Sequence, residues 1–208
     1  MNFGQLVRVA ADLQCFSPGM LAAGQNINRV RVQLSRWVTS GRVVRIHKGW
    51  YTLNEPFRRV RIDINVIAST IREGSYVSLQ SALEFHGVIP EYVAETTCVT
   101  TGRPLTIDSP FGRIRYRHIK RDAFFGYLRI ENGLQHAFVA TPDKALLDLV
   151  YLTPGSEDLA YLSELRLQHT EAFDLDEMRR MAVRFDAPRL ERTVDLYRRL
   201  TGEGQYRA

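Results

Sequence analysis

Cysteine is nearly missing from this chain, with only Cys15 and Cys98 among 208 residues. They lie far apart, without CxxC spacing and without a histidine cluster nearby, which excludes zinc-finger and dithiol chemistry. A single disulfide or two reduced, partly buried thiols remain, and the second is the expectation for a cytoplasmic protein. Long apolar runs are missing as well. None is long enough to cross a bilayer, and MNFGQLVRVAADL alternates polar and apolar residues where a signal peptide has an unbroken apolar core. The expected location is the cytoplasm, with no membrane partner.

Catalytic signatures are equally scarce. There is no phosphate-cradling glycine loop and no serine elbow. Gly74-Ser75 followed by Glu84 faintly resembles the nucleotidyltransferase pattern, but that chemistry needs paired carboxylates to hold magnesium, and Phe85-His86 supply none. His86 and His118 have no cysteine or carboxylate at metal-ligand spacing. Asp143-Lys144 looks like a helix start with no catalytic partner. The expectation is a protein that is not an enzyme and needs no cofactor or metal.

Negative charge is scarce at one end only. From Met1 to Ile62 ten basic residues stand against two acidic ones, a balance of +8. The remainder carries eighteen against twenty-one, a balance of −3. A basic head on a near-neutral body suits a polyanion-binding domain joined to something else.

What the head contains is organised around NRVRVQLSRWVTSGRVVRIHKGWYTL, Asn28 to Leu53. Val30, Leu34, Trp37 and Val38 recur at helical spacing, leaving Arg29, Arg31, Gln33 and Arg36 mostly on the other face. Asn28 is the expected cap and Gly41 the expected stop. Val43 to Leu53 is β-branched and aromatic, broken at Lys48-Gly49, and reads as a hairpin with a basic tip. Upstream, a helix over Asn2–Leu13 and a short one after Ser17-Pro18, with Met20 and Leu21 buried, lead to a turn at Gly24–Ile27 with Ile27 as an apolar plug. This is the outline of a winged helix-turn-helix spanning residues 1–62. Arg29, Gln33 and Arg36 are then the base-reading candidates, since arginine pairs with guanine and glutamine with adenine. Asn28 and Arg31 suit backbone phosphate, as do Arg45, His47 and Lys48 at the ribbon tip. Trp50 and Tyr51 are expected to pack beneath the ribbon.

Residues 63–208 read as a mixed domain, first strands and then helices. Helices are expected over Asp63–Ile71 and Ser78–Phe85. Strands follow over Thr96–Thr101, Arg113–Ile119, Tyr127–Ile130 and Gln135–Thr141, with Asn132-Gly133 turning the last pair and Ile107 standing alone. Thr141-Pro142-Asp143 opens a helix with Ala145, Leu146, Leu149 and Val150 on its buried side. Further helices fall over Glu157–Leu167, Asp174–Phe185 and Pro188–Leu200, the last with a stripe of Leu190, Val194, Tyr197 and Leu200, before a polar tail beyond Thr201. The fold class is therefore α+β, a winged helix-turn-helix followed by a mixed antiparallel-sheet and helical domain. A second basic group, Arg103, Arg113, Arg115 and Arg117 with Lys120 and Arg121, either extends a DNA contact, meets an acidic protein, or forms the solvent face of an antiparallel sheet.

Five segments appear in a characteristic order: GRVVRIHKGWYTL, SYVSLQSALEFHGVIPE, TTCVTTGRP, FFG and ATPDKALLDLVYL. Together they resemble the AbiEi-family antitoxins of bacterial type IV toxin–antitoxin systems, over nearly the whole chain. The resemblance implies an N-terminal domain that binds operator DNA and represses its own operon. It also implies a C-terminal antitoxin domain opposing a nucleotidyltransferase-like toxin, with or without direct contact. The alternative is a stand-alone winged-helix regulator whose second domain senses a ligand or dimerises.

Overall fold

The computed structural model describes residues 1–22, 24 and 26–202. Gln25 of the expected turn, and the tail from Glu203 onward, lie outside the described residues. The N-terminal part runs α1 (Phe3–Ala10), α2 (Pro18–Ala22), α3 (Ile27–Thr39), β1 (Val43–His47) and β2 (Trp50–Leu53). Asn2 accepts the Gln5 amide at 2.9 Å while the Gln5 side chain accepts the Asn2 amide at 2.7 Å, a capping box that opens α1. Pro18 sits at the start of α2, where its missing N–H is no loss.

The cap of α3 differs from expectation. Asn26, in an extended conformation, accepts the Asn28 amide at 2.9 Å, so the helix starts two residues earlier than an Asn28 cap would allow. Asn28 is left in the first turn with its side chain outward. Ile27 is 36% exposed rather than a plug, and Met20 is 50% exposed. Both belong to helices too short or too close to their start to bury every apolar residue. Gly41 ends α3 at φ +71°, where a side chain is strained. The hairpin pairs Val43 with Leu53 and Arg45 with Tyr51, and an irregularity after Arg45 brings His47 opposite Trp50.

The body contains α4 (Ile64–Ile71), β3 (Ser75–Val77), α5 (Leu79–Phe85), β4 (Glu95–Thr100), β5 (Leu105–Ser109), β6 (Gly112–His118), β7 (Tyr127–Asn132), β8 (Gln135–Ala140), α6 (Pro142–Leu152), α7 (Leu159–Glu164), α8 (Leu175–Arg184) and α9 (Pro188–Thr201). Six strands form one sheet in the order β5-β6-β4-β3-β8-β7. The pairs β4–β6 and β3–β8 are parallel, so the sheet is mixed rather than antiparallel throughout. Strand β3 had no sequence signal. It has three residues, all buried, with neither alternation nor length to mark it. Ile107, expected to stand alone, is the buried centre of β5. Helix α4 lies on β8, α5 packs on α6, and α6 packs in turn on α8 and α9. Leu200 leaves the expected stripe of α9 and is 39% exposed.

Two apolar clusters result. The smaller joins Leu6, Ala10, Phe16, Val30, Leu34, Val43 and Leu53. The larger fills the body, and it takes Cys15 and Ile46 from the N-terminal part, with Trp50 packed against it. A polar joint accompanies that contact. The buried Gln135 Oε1 accepts the Gln14 and Cys15 amides at 2.6 and 3.2 Å, and its Nε2 donates to the Cys15 carbonyl at 2.9 Å. Gln14 Oε1 accepts the Asp63 amide at 2.7 Å, and Asn132 donates to the Asp63 carboxylate at 2.9 Å. Buried backbone groups need such partners, so β8 fixes the link between α1 and α2 chemically as well as by packing.

Helix α6 is buried on every side from Asp143 to Val150, which its sequence pattern did not announce. Lys144 and Asp148, four residues apart, form a completely buried ion pair. Tyr76 on β3 donates to Asp148 at 2.9 Å and accepts from the Lys144 ammonium at 2.9 Å, and the Ser78 hydroxyl donates to Asp148 at 2.7 Å. The ammonium also lies 4.4 Å from the Phe185 ring centroid. Burial pushes Lys144 down and Asp148 up, and each charge opposes the shift of the other. Gly126 makes room for the lysine stem: at φ +74°, a Cβ there would stand 3.0 Å from the Lys144 chain. No helix among the described residues is long and apolar enough to cross a membrane.

Candidate nucleic-acid interface

Helix α3 buries Val30 and Leu34 and half-buries Trp37 and Val38. A 3.6-residue period then forces the intervening residues outward. Asn28, Arg29, Val32, Gln33 and Arg36 line, with Asn26, one shallow depression of about 390 Å³ on the protein surface. Arg29 and Arg36 are exposed, Gln33 is half-buried, and Val32 is 53% exposed in their midst. Arg31 lies outside this depression and donates to Asn28 Oδ1 at 3.2 Å. Among the described residues no carboxylate stands within 4 Å of Arg29, Arg31 or Arg36.

Next to α3, the hairpin carries Arg45 and Lys48 exposed and His47 half-buried. Its two sides face different neighbours, since Val43 and Leu53 join the smaller cluster while Ile46 joins the larger. Tyr51 is bridged to Phe16 by backbone hydrogen bonds of 2.8 and 2.9 Å, and the two rings stack with centroids 6.5 Å apart. Trp50 packs on the body and Tyr51 on the smaller cluster, the packing role expected for both. Not every N-terminal cation is available. Arg58 donates to the Leu53 and Val60 carbonyls at 3.2 and 2.9 Å and pairs with Glu55 at 3.0 Å, while Arg59 stands 3.6 Å from Asp12.

The second basic group is arranged differently. Arg113, Arg115 and Arg117 share one face of β6, with Ile114 and Tyr116 buried on the other. Arg113 pairs with Asp108 on the neighbouring β5 at 2.6 Å, which raises its pKa, and Arg115 pairs with Glu95 on β4 at 2.8 Å. Arg117 is half-buried and donates to the Leu152 carbonyl at the end of α6. Burial, followed by the nearby Arg115, lowers its pKa. Arg103 is exposed, and its carbonyl accepts from Arg72 at 2.6 Å. The structure thus brings acids or carbonyls to the β6 arginines, and only strand register could reveal those partners. Asp108, five residues before Arg113 across Pro110–Gly112, was the one legible hint.

In the N-terminal part three helices are followed by a two-stranded ribbon, with the cationic face of α3 outward. Residues 5–54 are similar to a family described as transcriptional regulator, AbiEi antitoxin. The matched span runs from α1 through the last strand of the hairpin and includes every residue of the α3 depression. No curated protein matches the chain.

Proposed function

We propose that this protein is the antitoxin of a type IV toxin–antitoxin system, binding operator DNA through α3 with β1–β2 as the wing, repressing its own operon and opposing a nucleotidyltransferase-like toxin in the cytoplasm. The observation that carries the DNA reading is the acid-free cationic depression on α3, inside the span matched to a transcriptional-regulator family. In this reading Arg29 and Arg36 donate to guanine acceptors in the major groove and Gln33 pairs with adenine. Asn28 and Arg31 hold backbone phosphate at the helix start, and Arg45, His47 and Lys48 hold it beside the wing. Residues 1–62 are the DNA-binding part and residues 63–208 the antitoxin part. The paired arginines of β6 play no leading role in DNA binding.

Operator titration at fixed salt tests this. Arg36→Ala is expected to weaken binding at least tenfold with an unchanged unfolding midpoint, and unchanged affinity would remove Arg36 from the interface. For the antitoxin role, co-expression with the toxin of the adjacent frame is expected to rescue growth, and the Arg29→Ala/Arg36→Ala protein is expected to rescue as well. Point variants suit this purpose better than deletion of residues 1–62, because deletion also strips Cys15 and Ile46 from the body core. Operator binding without rescue would leave a stand-alone regulator.

A further inference from the structure

The two edges of the six-stranded sheet are not alike. On one side β5 runs beside β1 of the hairpin. On the other, no strand among the described residues pairs with β7 beyond β8. The hydrogen-bond phase of that edge follows from one contact. Thr141 donates to the Gly126 carbonyl at 3.0 Å, and the register pairs Leu128 with Val139 and Ile130 with Ala137. Alternation then turns the backbone groups of Leu128, Ile130 and Asn132 toward β8 and those of Tyr127, Arg129 and Glu131 outward. An open edge invites another strand unless proline, a bulge or charged side chains blunt it. Tyr127–Asn132 has no proline and no bulge, and its charges, Arg129 and Glu131, are of opposite sign and so can be matched by a second strand. It carries apolar exposure instead: Leu128 is 53% exposed, and Leu134 at the hairpin turn is 74% exposed.

Its two charges are self-complementary. Arg129 and Glu131 lie on one face, 3.1 Å apart within the chain. We propose that β7 pairs antiparallel with β7 of a second copy of this chain about a two-fold axis beside Ile130. The phase of the edge requires Tyr127, Arg129 and Glu131 to meet outward-facing residues of the other copy. Centring the axis on Arg129 sets Arg129 against Arg129, and centring it on Glu131 sets Glu131 against Glu131. Centring it on Ile130 sets Arg129 against Glu131 in both directions, and opposite charges across a strand pair stabilise it. The same register places Leu128 against Asn132, and brings the Leu134 turn toward Gly126 of the second copy, which has no side chain to obstruct it. The two sheets become one continuous sheet across an isologous contact. The area is small for a stable interface, so the dimer is weak and concentration-dependent.

The inference does not rest on DNA binding and is tested without nucleic acid. In the full chain, Ile130→Cys sets two thiols on a non-hydrogen-bonded pair, where Cα atoms about 4.5 Å apart allow a disulfide. Cys15 and Cys98 are buried and do not compete. Mild oxidation is expected to give a covalent dimer of the Ile130→Cys protein, and at least tenfold less of it for Leu128→Cys. In sedimentation equilibrium, Arg129→Glu and Glu131→Arg are each expected to weaken self-association at least tenfold, and their equimolar mixture to recover the mass of the unaltered protein. Absence of the Ile130→Cys dimer, equal crosslinking at both positions, single variants that associate normally, or a mixture that stays monomeric would each overturn the proposal.

Discussion

Two rows of arginine stand on this molecule, one along α3 and one along β6, and they differ in what faces them. On α3 the residues flanking Arg29 and Arg36 are Asn26, Asn28, Val32 and Gln33, none of them acidic. On β6 the flanking strands bring Asp108 to Arg113 and Glu95 to Arg115, and the end of α6 brings a carbonyl to Arg117. A helix at the surface is bounded by its own sequence, so an acid-poor segment yields an acid-free face. A central strand is bounded by neighbouring strands rather than by its own sequence alone, and here those strands bring acids. Ion pairs at an exposed surface add little stability, but they cancel the local potential that would draw a polyanion. Lys144 extends the comparison to its limit, a cation with no exposure at all, neutralised by Asp148 and boxed in by aromatic rings.

The largest expected effect breaks that extreme case. Lys144→Ala leaves the Asp148 carboxylate buried without its counter-charge and is expected to cost about 3–5 kcal/mol in urea unfolding. On the proposed DNA-binding reading, DNA affinity per folded molecule is expected to stay within about twofold, since the change is confined to α6 and leaves α3 untouched. A smaller change would convert the β6 row toward the α3 kind. Glu95→Gln combined with Asp108→Asn uncovers two guanidinium groups, and non-specific DNA affinity is expected to rise about two- to fivefold at low salt, with a steeper salt dependence. Unchanged affinity in a filter-binding titration would mean that β6 faces away from DNA whatever its charge.

The smallest expected effect concerns a carboxylate rather than a cation. Burial lifts the pKa of Asp143 to about 6, although it accepts the Asp174 amide at 2.9 Å. Its folded pKa lies above its unfolded one, so the stability it contributes is complete below about pH 4 and is lost as pH rises through about 6. Asp143→Asn should therefore gain stability relative to the unaltered protein between pH 4 and 7. Unfolding midpoints of the two proteins across that range check the sign, and parallel curves would refute it.

Much of this was legible in advance. The apolar face of α3, the Gly41 stop, the hairpin broken at Lys48-Gly49, and the Thr141-Pro142 helix start all follow from residues within one or two turns of each other, where spacing and capping chemistry act. The fully buried strand β3 was not legible, since three residues between Gly74 and Ser78 carry no period. Nor was the burial of Lys144 and Asp148, which look like an ordinary i,i+4 surface pair until Tyr76 and Ser78 arrive from elsewhere. The cap at Asn26 rather than Asn28 turned on backbone conformation, which two similar asparagines do not reveal.

By itself the sequence determined most of the elements, the one-sided charge and the acid-free face of α3, because each depends on neighbours close along the chain. Tertiary structure decided which cations keep their field. It placed Asp108, Glu95 and the Leu152 carbonyl against the β6 arginines, and it tied the N-terminal part to the body through Gln135 and Ile46. Glu95, Leu152, Gln135 and Ile46 come from segments far from their partners, and even Asp108, five residues before Arg113, meets it only through the β5–β6 register.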